Sequence, residues 1–473
     1  MIFNDNNYIG TIIWNNATDN NPTQIATEHE YIICYAKDIV SAESIWKSSV
    51  SSYKDILIEI GNKFNAEYDN KEQMQKAYTK WFQEKKAQLG PLDRYKYIDS
   101  EWVYLGSQSV HNPGRGGYHY DVIHPTTGKP CKEPLMGYRF PETSMQVLLD
   151  TGKILFGKDE NKIIEIKVYA KDFLDKLSSI FELDGRISSY DLKALFGEKP
   201  IFSNPKPVQM LSRLMSFILH NGDIVLDFFS GSATIAESAM LHNVYNQHDV
   251  KYICVQYQEN LDKSILTANT KNKEIIRNSI EMLDSIDKPH NICEIGKERI
   301  RRAAKKIHED KPQAVFDDGF KVFEVGGTTI RWNTTNDDEI RELVDFDLST
   351  GSKDDLDFTP NHNDTDIVYE IMLRQYGIPL STPIEKLPEI SERTYIFADA
   401  VVVCLEPEID DKLIEKLANI EPTPAKFVLR DSAFGDNIEF KEVSFRKLSA
   451  LISNHQIQEE RNSKYNNYTV EFI

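Results

Sequence analysis

No stretch of this 473-residue chain approaches 18 consecutive apolar residues, the length a membrane-crossing helix requires, so no membrane span and a soluble protein are expected. The opening MIFNDNNYIG has neither the basic start nor the apolar core of a secretion signal. Cysteine is scarce. Cys34, Cys131, Cys254, Cys293 and Cys404 are scattered, with no C-x-x-C pair, so neither a zinc site nor a disulfide framework is expected and a reducing cytoplasm fits. Neither G-x-G-x-x-G nor G-x-x-x-x-G-K-[ST] occurs, which leaves binding of a dinucleotide pyrophosphate or a triphosphate without support. No two prolines are adjacent anywhere.

A basic surplus is missing too. The net charge is −19, the wrong sign for a protein that meets nucleic acid. Its distribution changes that reading. From Arg331 to Ile473 there are 15 Lys and Arg against 29 Asp and Glu, whereas from Ser44 to His220 there are 25 against 22. Most of the acidity sits in the last third, and the middle can face a phosphate backbone without a large repulsive penalty.

The most informative stretch is IFSNPKPVQMLSRLMSFILHNGDIVLDFFSGSATIAESAM, from Ile201 to Met240. Val208, Leu211, Leu214, Met215 and Ile218 recur at helical spacing, and Pro207 suits the first turn because it has no N–H to lose. Asn221-Gly222-Asp223 ends that helix and leads into an expected buried strand, Ile224-Val225-Leu226. The strand closes on Asp227, and the loop Phe228 to Ala233 enters a helix starting near Thr234. A carboxylate at a strand's carboxyl end, followed by small residues, lines the usual ligand crevice of an open α/β sheet. The next strand, Lys251 to Tyr257, places Glu259 just beyond its end.

The pattern D-x-F-x-G-S-x-T resembles the S-adenosylmethionine (SAM) loop of amino-methylating DNA methyltransferases, and Asn204-Pro205-Lys206-Pro207 resembles the N-P-K-P segment that precedes it. The resemblance implies that the acid answers the cofactor's positive amino acid end and that the glycine lets the backbone pass close beneath it. Here Ala233 stands where a second glycine is expected. The cofactor-binding residues implied are Lys206, Pro207, Asp227, Phe228, Phe229, Ser230, Gly231, Ser232 and Thr234, with Glu259 for the ribose hydroxyls.

Other segments extend the likeness. Tyr8 to Trp14 and Glu30 to Ala36 read as two strands around a polar loop, and HEYIICYAK (His29–Lys37) resembles the close of the catalytic half of these enzymes. Ser44 to Leu89 is amphipathic helical material. The aromatic and glycine-rich tract SVHNPGRGGYHYDVIHPTTGKPCKEPLMGYRFPE resembles the target-recognition region of type III restriction–modification methyltransferases. It offers Arg115, His119, Lys129 and Arg139 as DNA-binding residues, with Tyr118, Tyr120 and Tyr138 for base stacking. The basic helix ERIRRAAKKIH (Glu298–His308) has Ile300, Ala303, Ala304 and Ile307 as its apolar stripe and reads as a solvated charged face. It has a counterpart in the same family, as does Asp318 to Phe323.

The fold implied is α/β: a Rossmann-like SAM-dependent methyltransferase sheet with an inserted α+β recognition region and a small C-terminal α/β module. The division implied is 1–40 for the rest of a catalytic half, 41–195 for recognition, 196–335 for SAM, and 336–473 for an acidic connector and the terminal module. The reaction implied moves a methyl group from SAM to adenine N6. Double-stranded DNA, a restriction (helicase–nuclease) subunit and a second copy of the chain are the partners implied. The family's [DNS]-P-P-[YFW] tetrapeptide, which grips the flipped-out base, is missing, and MIFNDNNYIG resembles a segment that lies downstream of it in relatives. The chain therefore looks N-terminally shortened. It is expected to be inactive alone and completed by a separate upstream half; the alternative is a non-catalytic DNA- or partner-binding remnant.

Overall fold

The computed structural model describes residues 4–16, 24–49, 52–86, 89–114, 116–331, 353–360, 362–375, 377–435, 438–459 and 468–473. They form two compact units, Met1–Asp318 and Gly319–Ile473. No helix among the described residues is long and apolar enough to cross a membrane.

The first unit is mixed α/β. Strand β1 (Tyr8–Asn15) pairs antiparallel with β2 (His29–Tyr35), setting Thr11 opposite Ile33 and Ile13 opposite Tyr31; this is the expected hairpin. After the short β3 (Lys47–Ser48), the amphipathic stretch resolves into two helices, α1 (Ser52–Glu67) and α2 (Lys71–Lys85). Asn70 separates them, its side chain capping α2 by accepting the Glu72 and Gln73 N–H groups. Both helices pack on strands β4 (Tyr97–Ile98) and β5 (Val103–Ser109) through Leu57, Met74, Tyr78, Phe82, Ile98 and Val103. Helix α3 (Glu142–Asp150), β6 (Ile154–Leu155) and β7 (Glu165–Tyr169) complete an antiparallel sheet of order β4-β5-β7-β6.

The chain returns through β8 (Asp175–Lys176), paired with β3, and β9 (Ile180–Glu182), which lies parallel to β1. Then come α4 (Ile187–Phe196), α5 (Val208–Ile218), β10 (Ile224–Asp227), α6 (Thr234–Asn246), β11 (Lys251–Cys254), α7 (Leu261–Thr267), α8 (Thr270–Ser285) and α9 (Ile292–Asp310). Strands β10 and β11 are parallel. Among the described residues they form a two-stranded sheet separate from β2-β1-β9. One expectation fails here. The strand read as buried leaves Ile224 62% and Leu226 44% exposed, with Ile253 across from Leu226 at 48%. Apolar composition forecasts burial on both faces, as in most parallel sheets. Here α6 covers only the face that carries Cys254.

The second unit contains α10 (Lys353–Asp357), α11 (Asp364–Leu373), β12 (Ile384–Lys386), β13 (Thr394–Phe397), β14 (Val401–Cys404), α12 (Asp411–Ala418), β15 (Lys426–Leu429), α13 (Ile438–Glu459) and β16 (Thr469–Phe472). The strands join in that order, the first two pairings antiparallel and the last two parallel. Val402, Cys404, Phe427 and Leu429 bury one face against α12 and α13, and Val401, Val403 and Val428 bury the other against α11. Alternate side chains serve opposite layers, which is why the run VVVC is apolar throughout.

Of the acidic connector, for which the charge run from Asp337 to Asp366 suggests a flexible segment, residues 337–352 lie outside the described residues; its end is built into the unit. Arg430 is fully buried. Its Nε donates to Asp357 Oδ2 at 2.6 Å and its Nη1 to Asp354 Oδ1 at 2.6 Å, and the Lys353 and Leu405 carbonyls accept its remaining bonds. Arg393 bridges Asp354 and Asp364. Burial pushes the Asp354 carboxyl up, but the two guanidiniums outweigh it and hold the group below the usual carboxylate range. Arg430→Met should therefore leave Asp357 without its cation and Asp354 with Arg393 alone, and cost about 3–5 kcal/mol of unfolding free energy in urea titration. Because the folded pKa is depressed, the Asp354 contribution is fully present above the ordinary carboxylate pKa and is lost as pH falls through the folded value. Melting temperatures followed below about pH 4 should fall less steeply in Asp354→Asn than in the parent.

Candidate cofactor site

Asp227 ends β10, and its Oδ1 accepts the Phe229 N–H at 3.0 Å. The loop that follows is strapped to the chain leaving β11. Ser230 N–H donates to the Val255 carbonyl at 3.1 Å and Gly231 N–H to Gln256 Oε1 at 2.7 Å. Gly231 has φ +50°, a conformation that favours glycine, and a Cβ built there would stand 3.1 Å from Phe202 Cζ. Ala233 is also left-handed, at φ +58°, as the residue that opens α6.

A residue the sequence reading passed over holds this loop from behind. Arg299, on α9, is completely buried. Its Nη1 donates to Thr234 Oγ1 at 2.7 Å and Ser232 Oγ at 2.8 Å, and its Nε to Glu237 Oε2 at 2.9 Å. Ser232 and Thr234, implied as cofactor contacts, are buried with their hydroxyls turned to this guanidinium. Burial pushes the Glu237 carboxyl up, and Arg299 draws it part of the way back. Gly296, one turn before Arg299, lets α9 approach: a Cβ there would meet the Ala233 methyl at 3.4 Å and the Gly231 carbonyl at 3.5 Å. The signal was available. Ile295, Arg299 and Ala303 are spaced by four, so Arg299 lies on the apolar stripe and not on the charged face.

The remaining implied cofactor residues fall in two places. At the carboxyl end of the strands, Phe228 and Phe229 are exposed, Phe229 by 91%, and so is Tyr257, by 83%, a ring the motif does not include. Glu259 follows, its Oε1 accepting the Ser264 hydroxyl at 2.5 Å. Lys206 and Pro207 precede α5. Lys206 Nζ donates to Glu30 Oε2 at 2.7 Å and lies 5.2 Å from the Trp14 ring centroid. The N-P-K-P segment thus engages the β1–β2 hairpin, where Glu30 also accepts from Asn16 and Trp14 donates to the Leu183 carbonyl.

In the recognition tract Arg115 lies outside the described residues. His119 is held to Glu133 at 2.6 Å and Lys129 to Glu160 at 3.3 Å, so each of these sits against a carboxylate. The Arg139 guanidinium lies 5.1 Å from the Phe140 ring. Of the three tyrosines expected to stack on bases, Tyr118 is exposed, but Tyr138 is fully buried beneath Tyr120, ring centroids 4.7 Å apart. Tyr138 belongs to a core with Val110, Met145 and Ile166. An aromatic in an irregular tract was read as surface because the tract lacks periodicity.

These residues fit SAM. A carboxylate stands at the strand end for a positive amino acid group, a second follows β11 for hydroxyls, exposed rings offer an apolar face for a purine, and Gly231 takes the left-handed turn between them without a side chain.

A DNA methylase family model matches residues 1–266. The Mod subunit of the type III restriction–modification enzyme EcoP15I of Escherichia coli is 40% identical over 443 residues, covering 93% of this chain and 63% of that protein. The StyLTI Mod subunit of Salmonella typhimurium is 26% identical over 395 residues, covering 80% and 50%. The EcoPI Mod subunit of Escherichia phage P1 is 29% identical over 234 residues, covering 48% and 30%. The chain thus spans less than two thirds of the length of these relatives. With the strand-end acid, the glycine loop and the N-P-K-P segment in their places, the chain belongs to the DNA methylase family, and its relatives are the Mod subunits of type III restriction–modification enzymes.

Proposed function

We propose that the chain is the cofactor-binding and DNA-recognising part of a SAM-dependent adenine-N6 methyltransferase of a type III restriction–modification system. The observation that carries this reading is the loop from Asp227 to Thr234, held in shape by a buried arginine and open at the carboxyl end of a parallel pair. Bound SAM supplies an electrophilic methyl group on a positively charged sulfur. Asp227 would hold the cofactor's amino acid end, Glu259 its ribose hydroxyls, and Phe228, Phe229 and Tyr257 its purine. Residues 41–195 would recognise duplex DNA, and the second unit would serve contact with a second copy and with a restriction subunit.

Nothing among these residues polarises the adenine amine, so we assign that step to a segment outside them that carries the Pro-Pro tetrapeptide. Two bare apolar faces in the first unit support a missing neighbour. One is Ile224, Leu226 and Ile253; the other is Ile180, Ile13 and Tyr31 in register across β9, β1 and β2, with Ile33 two residues along β2. Parallel strands seldom leave such a face to water, and a two-stranded pair is marginal by itself.

Isothermal titration tests the cofactor reading. Wild-type chain should bind SAM, and Asp227→Ala should bind about 1.5–3 kcal/mol more weakly, roughly 10- to 150-fold. Absence of heat at millimolar SAM, or equal binding by the mutant, defeats the assignment. Transfer of labelled methyl groups tests the chemistry. The chain alone should transfer none to DNA, because positioning and hydrogen bonding at the reacting centre supply most of the barrier reduction. An upstream polypeptide bearing the tetrapeptide should restore transfer. Incorporation by the chain alone would show that other residues catalyse, with Asn15, Asn16 and Asp19, the last outside the described residues, the first to mutate. Silence with both parts present would favour the binding-remnant reading.

A further inference from the structure

The sheet β4-β5-β7-β6 carries three tyrosines in one row, Tyr97 opposite Tyr104 and Tyr104 opposite Tyr169. Tyr97 and Tyr104 stack with centroids 5.5 Å apart, and Tyr104 meets Tyr169 edge-on at 5.8 Å. Gly106 makes room for the first ring: a Cβ there would stand 2.8 Å from two carbons of Tyr97. Helices α1 and α2 pack on the other face, through Ile98 and Val103, as one-sided antiparallel sheets allow.

Four lysines stand over these rings. Lys96 Nζ lies 5.3 Å from the Tyr97 centroid, Lys167 5.1 Å from Tyr104, and Lys153 and Lys171 6.0 and 5.3 Å from Tyr169. Lys171 is also 5.5 Å from the Trp102 ring. The lysines differ in one respect. Lys167 pairs with Asp99 at 2.9 Å and Lys153 with Asp172 at 3.3 Å. Lys96 and Lys171 are exposed, and among the described residues neither has a carboxylate within ion-pair distance. A carboxylate orients an ammonium and cancels its charge, whereas an aromatic ring orients it and leaves the charge available to an outside anion. Side-chain ordering, which a flexible lysine loses on binding, is then partly made in advance.

We propose that this face contacts the phosphate backbone of duplex DNA, with Lys96 and Lys171 each neutralising a phosphate. The proposal rests on the reading of DNA as substrate and adds a surface outside the Arg115–Arg139 tract. Lys96 adjoins β4 and Lys171 follows β7, the two outer strands of the row, so the free charges flank a strip about 10 Å wide. A linear polyanion with a charge every 3.4 Å or so along each strand matches such a strip. Contacts of this kind position the duplex without reading its sequence.

The test is fluorescence anisotropy of the full-length chain with two duplexes of unrelated sequence over a range of salt. Lys96→Gln/Lys171→Gln should weaken binding of both duplexes by the same factor and flatten the slope of log affinity against log salt by about 1.8, the value for two lost phosphate contacts. Lys76→Gln/Lys80→Gln, on the helix behind the sheet, should change neither. Tyr97→Leu, which frees Lys96 without removing it, should weaken binding and leave the slope unchanged. An unchanged slope in the Lys96/Lys171 variant, or a loss confined to one duplex, overturns the proposal. So does displacement of the duplex by polyglutamate as effectively as by unlabelled DNA, which would assign the face to an acidic polypeptide. SAM titration on the same proteins separates failures: DNA binding that ignores the lysines with SAM still bound sinks this surface alone, whereas loss of both ligands in the wild-type chain sinks the methyltransferase reading.

Discussion

The guanidinium of Arg299 is the constraint from which the cofactor loop takes its shape. A buried cation needs acceptors for its donors and an anion for its charge; Ser232 and Thr234 accept from Nη1, Glu237 accepts from Nε, and the Glu237 carboxylate lies 2.9 Å from Nη2 as its ion-pair partner. All three lie on the loop or the first turn of α6, so one side chain from α9 fixes where that helix begins. With the helix start fixed, Gly231 is held over Phe202. The loop's own N–H groups are committed to Val255, Gln256 and Asp227. The loop is therefore pre-formed before any ligand arrives, and ordering it does not have to be offset by binding.

Pre-formation explains a division of labour within the motif. Sequence patterns group Asp227, Gly231, Ser232 and Thr234 because they occur together. Structure separates them. Asp227 and the glycine backbone stand at the strand end, whereas the hydroxyls of Ser232 and Thr234 face inward as acceptors for Arg299. Small polar residues are needed there because a buried arginine needs oxygen partners within a narrow space, a requirement as strict as any made by a ligand.

What was legible in the sequence was periodicity and punctuation. Asn221-Gly222-Asp223 ends α5 and begins β10, and the apolar runs of the last third, such as Val401 to Cys404 and Phe427 to Leu429, carry strands with the helix Asp411–Ala418 between them. Strands β12 and β16 were not read, because Ile384-Glu385-Lys386 is short and polar and Thr469 to Phe472 follows a polar run. The burial of Arg299 and of Arg430 is hidden from the sequence for a common reason. Both are fully buried, and a charged residue is ordinarily assigned to the surface. Their side-chain acceptors come from distant parts of the chain, 62 to 76 residues away, beyond the reach of local spacing. The tyrosine row failed for the same reason, since Tyr97, Tyr104 and Tyr169 become neighbours only through strand register.

Charge acts differently in the two units, and this bears on the proposed contact of an acidic chain with DNA. In the second unit, Asp354, Asp357 and Asp364 face buried or half-buried arginines, so part of the acidity there is structural and projects little field into solvent. In the first unit the near balance of charge conceals a sorting by partner. Lys129, Lys153 and Lys167 are matched to carboxylates, while Lys96 and Lys171 are matched to rings. A count of Lys and Arg treats these alike, but at a surface only the second kind offers an unspent charge to a phosphate. Net charge sets the long-range repulsion, which salt screens over about 10 Å. The local choice between carboxylate and ring decides which lysines remain for contact once the duplex has come within that distance.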